Sequence, residues 1–119
     1  MNVLTVLCRD GWMPVHLSEG WRRLGAEVTE FFYGTHMGRT WTGEGLRQNR
    51  DINRDLLDTA QRQKAAGKLD LIFMVIYDDV LEVSTIRALK KLGVPMVNYH
   101  VDLVGQWQRV LLTGRYFDR

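Results

Sequence analysis

Two apolar runs that each end in a polar cluster constrain what this chain can fold into. The first is LDLIFMVIYDD at residues 69–79, and the second is GVPMVNYHVD at residues 93–102. Apolar runs rich in β-branched side chains, separated by a helical pattern, are typical of strands buried on both faces of a parallel sheet. Because ligands bind beyond the carboxyl ends of such strands, we expect the polar ends of both runs to meet in one crevice. The residues concerned are Tyr77, Asp78, Asp79, His100 and Asp102.

The remaining periodicity predicts an α/β domain with four strands. They are expected at residues 2–7, at 26–32, from Asp70 onward, and at 94–99. Glu27 and Glu30 indicate that the second strand is more exposed than the first. Right-handed crossovers and short connections favour a Rossmann-like open parallel sheet, with strand order 2-1-3-4 and helices on both faces.

Apolar residues at helical spacing predict a helix in each connection and one after the last strand. Residues 33–48 contain four glycines and no period of either type, so we expect a long loop there, of the kind that often serves as a lid. The helices are expected from Met13 to a stop at Gly25, from a cap at Asn49 to Gly67, over residues 83–92, and from Val104 to Gly114.

The length and composition of the chain predict one domain, covering residues 1–119, and a location in the cytoplasm. A chain of this length has room for one core, and sixteen basic against fourteen acidic residues leave a net charge of +2. The basic residues are spread out, so no nucleic-acid partner is expected. The single Cys8 cannot form an internal disulfide, and no leader or membrane-spanning apolar stretch is visible.

The loop after the first strand supplies candidate substrate-binding residues, namely Arg9, Asp10, Gly11 and Trp12. It lacks the Gly-x-Gly-x-x-Gly pattern that seats a dinucleotide, and Pro14 stands where a cysteine-dependent phosphatase needs an arginine, so no cofactor is expected. Cys8 reads as a small apolar residue at a strand end or as a thiol of lowered pKa at a helix start. Trp12 and Trp41 read as core anchors or as aromatic faces for a sugar or an apolar acceptor.

Two acidic groups allow more than one interpretation. Asp78 and Asp79 could bind a divalent metal, although an adjacent pair at a helix start more often caps the helix. His100 and Asp102 could act as a catalytic pair in which the carboxylate supports a histidine base. Alternatively, Asp102 caps the last helix and His100 packs against it.

Three stretches resemble the amino-terminal half of GT-B-type glycosyltransferases, in particular the CgeB-like family of spore-maturation-like proteins. NVLTVL, followed by a helix that ends in RRLGAEVTEF, is similar to the opening strand, helix and turn of that family. NRDINRDLLDTAQRQKAAGKLDLIFMVIYDD resembles its next helix and strand. IRALKKLGVPMVNYHVD is similar to a further run, with Asp102 at the position of the acidic residue.

The resemblance implies that the chain is an incomplete acceptor-side domain, with a nucleotide sugar bound by a second domain that the chain lacks. It also implies a metal-independent reaction, in which His100 or Asp102 removes a proton from the acceptor hydroxyl. The glycine-rich loop has no counterpart in the family pattern. The alternative function is a non-enzymatic, flavodoxin-like regulatory or binding domain.

The order 2-1-3-4 leaves the fourth strand at one edge of the sheet. Unpaired apolar edges promote association, so we expect the isolated chain to self-associate or to be poorly soluble. Residues Tyr116–Arg119 read as the approach to a further strand.

Overall fold

The computed structural model describes residues 1–9, 12–34, 43–76, 80–99 and 111–118, with side chains described from residue 50 onward in the third range. Four strands in this part of the chain form one sheet in the order β2-β1-β3-β4, and every neighbouring pair is parallel. The strands are β1 (Asn2–Leu7), β2 (Glu27–Phe32), β3 (Leu71–Met74) and β4 (Met96–Asn98). The predicted order and directions are therefore confirmed. β1 has the predicted bounds, whereas β4 is shorter than residues 94–99.

Three α-helices are described, and two predictions about where they begin are wrong. They are α1 (Glu19–Arg23), which follows a π-helical turn at Pro14–Ser18, α2 (Gly43–Ala65) and α3 (Val83–Lys90). α2 begins at Gly43, so residues 43–48 are not loop and Asn49 is not a cap. The Glu, Leu, Arg and Gln residues of this stretch favour a helix although they lack an apolar period. The N-cap of α3 is Glu82, so α3 does not begin at Asp78 or Asp79, which lie outside the described residues.

Both faces of the central strand β1 are buried. Thr5 of β1 is aligned with Phe73 of β3, and both contact the α1 side. The Thr5 and Ser18 hydroxyls are 3.3 Å apart, and the Phe73 and Trp21 rings meet edge to face at 5.5 Å. The opposite face of β1 is buried as well, and α2 packs against α3. Right-handed crossovers from β2 to β3 and from β3 to β4 assign α2 and α3 to that second face.

The two edge strands differ in how they are protected. β2 has no fully buried residue, and Glu27 and Glu30 are exposed, which confirms the more exposed position predicted for it. The outer side of β4 is not fully open, because Asp118 hydrogen-bonds to both backbone groups of Met96. Asp118 follows a short 3₁₀ turn at Gly114–Tyr116, and most of the predicted last helix lies outside the described residues.

None of the helices in the described ranges combines the length and the apolar character needed to cross a bilayer.

Candidate functional site at the carboxyl edge of the sheet

The carboxyl ends of the four parallel strands meet along one side of the molecule, which we call the carboxyl edge. In a doubly wound sheet, a crevice forms where successive connections leave neighbouring strands toward opposite faces. Here that point lies between β1, whose chain continues into α1, and β3, whose chain continues into α3. The described residues of the carboxyl edge are Cys8, Arg9, Trp12, Tyr33, Gly34, Val75, Ile76 and Tyr99.

β1 and β2 remain joined beyond their last strand residues. The Tyr33 amide donates to the Leu7 carbonyl at 3.1 Å, and the Arg9 amide donates to the Gly34 carbonyl at 2.9 Å. Gly34 has φ of +118°, a backbone conformation that only glycine adopts readily. The buried Cys8 thiol also donates to the Gly34 carbonyl at 3.3 Å, so Cys8 is a packed residue at a strand end. The β1–β2 side of the carboxyl edge is therefore closed.

Tyr33 connects the end of β2 to the end of β3. Its side chain is buried, and its hydroxyl donates to the Val75 carbonyl at 2.9 Å. β1 lies between β2 and β3, so the phenol ring spans the end of the central strand. Tyr33 thereby forms a fixed floor beneath the point where the β1 and β3 chains separate.

Asn98 fixes the backbone that follows β3, just before the predicted acidic cluster. Within the described residues, the last backbone hydrogen bond between the β3 and β4 chains runs from the Tyr99 amide to the Met74 carbonyl at 2.8 Å. Beyond it, the Ile76 amide donates to Asn98 Oδ1 at 3.0 Å, and Asn98 Nδ2 donates to the Ile76 carbonyl at 3.1 Å. The side-chain amide thus supplies Ile76 with the two hydrogen bonds that a neighbouring strand would otherwise supply.

Arg9 and Trp12 are the two predicted site residues that the structure describes, and both are exposed next to the end of β1. The Arg9 guanidinium lies 5.9 Å from the centroid of the Phe32 ring, and no carboxylate among the described residues pairs with it. Trp12 is 44% exposed, and its ring lies 6.4 Å from that of His16. The described part of the carboxyl edge therefore carries a positive charge and an accessible aromatic face.

The other predicted site residues lie outside the described residues, so their roles stay predictions. They are Asp10, Gly11, Tyr77, Asp78, Asp79, His100 and Asp102, and the same holds for Trp41. Within the described ranges, no three His, Cys, Asp or Glu side chains converge in a way that could hold a metal ion.

Sequence reasoning missed Tyr33 and Asn98, which shape the carboxyl edge. A signal for Asn98 exists, because asparagine is depleted from strand interiors and its presence in an apolar run indicates a specific polar partner. Tyr33 directly follows two phenylalanines, and nothing in that apolar run points to its hydroxyl.

In chemical terms, the described carboxyl edge can bind rather than react. A guanidinium donates to hydroxyl, carboxylate or phosphate oxygens, and an exposed indole suits the apolar face of a sugar or another flat ligand. The groups fixed around them, Cys8, Tyr33 and Asn98, use their polar atoms on the backbone. The predicted catalytic groups, His100 and Asp102, lie outside the described residues.

No family model matches the sequence, and neither a curated protein nor a solved structure shows significant similarity to it.

Proposed function

We propose that this chain is the acceptor-binding domain of a GT-B-type glycosyltransferase. Sugar transfer then requires a further domain that binds the nucleotide sugar. The observation that carries the proposal is the carboxyl edge, where Arg9 and Trp12 follow the central strand of an all-parallel sheet. The sequence stretches similar to the CgeB-like family supply the reaction class, and the fold is compatible with it.

In this proposal, the acceptor lies over the crevice between the ends of β1 and β3. Trp12 packs against an apolar face of the acceptor, and Arg9 donates hydrogen bonds to its oxygen atoms. His100 or Asp102 removes the proton from the attacking hydroxyl. Tyr33 and Asn98 hold the backbone beneath the ligand and do not touch it.

Binding by the chain alone tests the first half of the proposal. We expect monosaccharides such as glucose and N-acetylglucosamine to quench the fluorescence of the wild-type protein. They should bind at least about tenfold more weakly after Arg9→Ala or Trp12→Ala. A change of this size is expected from the loss of one charge-assisted hydrogen bond or one stacking contact. Arg23→Ala is the matched control. Arg23 is an exposed arginine whose side chain is 79% accessible, at the far end of α1. Equal losses in the Arg9 and Arg23 variants would count against a site at the carboxyl edge.

Transfer by the complete gene product tests the second half. The expected result is movement of a sugar from a nucleotide-sugar donor to an acceptor, with the activity lost when His100→Ala and Asp102→Ala are combined. Full activity of that double variant would remove both residues from the mechanism.

A second candidate is a non-enzymatic binding domain of the flavodoxin-like type. The order β2-β1-β3-β4 favours it, because flavodoxin-like sheets begin in this way. Saturable binding at the carboxyl edge, without turnover by the complete gene product for any donor, would support this alternative.

A further inference from the structure

The outer side of β4 presents backbone groups that a neighbouring strand could use. The Ile72 amide donates to the Pro95 carbonyl, and the Tyr99 amide donates to the Met74 carbonyl. Because the hydrogen-bonding direction alternates along a strand, Met96 and Asn98 point their N–H and C=O groups away from β3.

Asp118 occupies both of these groups at Met96. Its amide donates to the Met96 carbonyl at 2.8 Å, and the Met96 amide donates to Asp118 Oδ2 at 2.9 Å. The preceding residue, Phe117, is extended, with φ of −90° and ψ of 152°. Asp118 therefore acts as a one-residue neighbour to β4, in which a side-chain carboxylate supplies the acceptor that a paired strand would supply from its backbone.

The segment Gly114–Asp118, which we call the edge guard, is fastened to α3 at two points. Lys90 Nζ contacts Asp118 Oδ1 at 2.6 Å. Arg87 Nε donates to the Tyr116 hydroxyl at 2.9 Å, and its guanidinium lies 5.5 Å from the centroid of the Tyr116 ring. The hydrogen bonds from Lys90 and Met96 also lower the pKa of the Asp118 carboxyl.

The edge guard leaves little of β4 to pair with. Among the described residues, the outward backbone groups of Asn98 have no hydrogen-bond partner, and they amount to one donor and one acceptor. Loss of the Asp118 carboxylate frees the Met96 amide and removes the contact with Lys90, and when the edge guard leaves β4 as a result, the Met96 carbonyl is freed as well. Two antiparallel strands can exchange four hydrogen bonds only if each strand has at least two residues with free outward groups, separated by one residue.

We propose that the edge guard keeps β4 from pairing with β4 of a second copy of this chain. An antiparallel pair of β4 strands about a two-fold axis at Val97 brings Met96 of one copy opposite Asn98 of the other. The outward N–H and C=O groups of each copy then hydrogen-bond to those of its partner. The net charge of +2 opposes such a dimer only weakly. Tyr99, which is 49% exposed, lies beside the paired edge and loses accessible area when the dimer forms.

Asp118→Ala removes the carboxylate, and Asp70→Ala is its matched control. Asp70 also accepts a backbone hydrogen bond, from the Asn2 amide at 2.7 Å, and the pKa of its carboxyl is likewise lowered. Asn2 belongs to β1, which has a strand on each side, so the control loses a comparable clamp without opening an edge. Sedimentation velocity over a concentration series gives the monomer and dimer fractions of each variant and of the wild type.

We expect the dimer dissociation constant of Asp118→Ala to fall at least about tenfold below that of the wild type and of Asp70→Ala, as several new hydrogen bonds imply. Hydrogen exchange should show that the Asn98 amide becomes protected as the dimer forms. If Asp118→Ala does not fold, Asp118→Leu, which is close to aspartate in shape and carries no acceptor, takes its place with the same expectation. An unchanged dissociation constant, equal association of the Asp70 variant, or a dimer with an unprotected Asn98 amide would each overturn the proposal.

Discussion

At the scale of single residues, side chains stabilise this sheet by hydrogen-bonding to backbone groups at the ends and edges of its strands. Asn98 takes the place of a strand beside Ile76, and Asp118 does so beside Met96. Asp70 accepts hydrogen bonds from both the amide and the side chain of Asn2, where β1 begins. Each of these contacts satisfies a strand-end group that no neighbouring strand reaches, and such groups are costly when they are left unpaired.

Tyr33→Phe tests the floor of the carboxyl edge. The substitution keeps the ring and leaves the buried Val75 carbonyl without its donor, so we expect the free energy of unfolding to fall by about 1–2 kcal/mol. Urea denaturation measures the change. Tyr99→Phe is the control, since the Tyr99 ring is half exposed and stacks on Phe73, and it should change stability by less than about 0.5 kcal/mol. Equal effects of the two substitutions would contradict the structural role given to Tyr33.

At the scale of elements, short helices depend on how they begin and end. The amide of Glu82, the N-cap of α3, donates to Asn53 Oδ1 of α2 at 2.8 Å, and Asn53 is buried. α1 ends in a turn at Gly25, which has φ of +83° and so adopts the left-handed conformation common at helix ends. The first turn of α3 is therefore fixed by a side chain of α2, and α1 is terminated by a glycine.

Asn53→Ala should destabilise α3 through its first turn. The Glu82 amide loses a buried acceptor, and we expect the free energy of unfolding to fall by about 1–2 kcal/mol. Ser84→Ala, at an exposed position of the same helix, is the control and should change it by less than about 0.5 kcal/mol. Chemical denaturation of both variants gives the comparison, and a neutral Asn53→Ala would rule out the inter-helix cap.

A glycine inside α1 and a glycine just after it should respond in opposite directions to the same substitution. Gly20 lies inside the helix with open space where a Cβ would stand, so Gly20→Ala should stabilise the protein by about 0.5–1 kcal/mol. Gly25→Ala forces alanine into a left-handed conformation and should destabilise it by about 1 kcal/mol or more. Thermal unfolding of the pair measures both signs, and a shared sign would contradict the assigned end of α1.

How far the elements could be predicted depends on whether burial or local contacts fix them. The apolar strands and their order follow from pattern and crossover handedness, because burial on both faces leaves one arrangement. The start of α2 at Gly43 could not be predicted from periodicity, because its first turns carry no apolar stripe. The side-chain hydrogen bonds of Tyr33, Asn98 and Asp118 join residues that are far apart in sequence. Such pairs cannot be predicted from the spacing or the composition of the sequence.

At the scale of the whole molecule, two exposed carboxylates link its stability to pH. The pKa of Asp70 is lowered chiefly by the backbone hydrogen bond from Asn2, with smaller contributions from the Asn2 side chain, the terminal amine and Lys64. The pKa of Asp118 is lowered chiefly by Lys90 and then by the Met96 amide. Each carboxylate binds its proton more weakly in the folded chain than in the unfolded chain.

Stability should therefore fall in acid. The contribution of both groups is fully present above their ordinary pKa of about 4, and it is lost as the pH falls through the lowered values of the folded state. Urea denaturation between pH 6 and pH 2 should show this loss, and it should be shallower in the Asp70→Asn, Asp118→Asn double variant. An identical pH profile of the double variant would contradict the sign and the source of the effect.

NMR shift mapping shows whether the carboxyl edge of this parallel sheet is the ligand-binding side of the molecule. Isotope-labelled wild-type protein is titrated with glucose and N-acetylglucosamine while the backbone amides are followed. We expect shifts that saturate and cluster at Arg9, Trp12, Gly34 and Ile76. Shifts centred instead on the opposite ends of the strands, at Asn2, Asp70 and Gly93, would contradict this expectation, as would the absence of any saturable change.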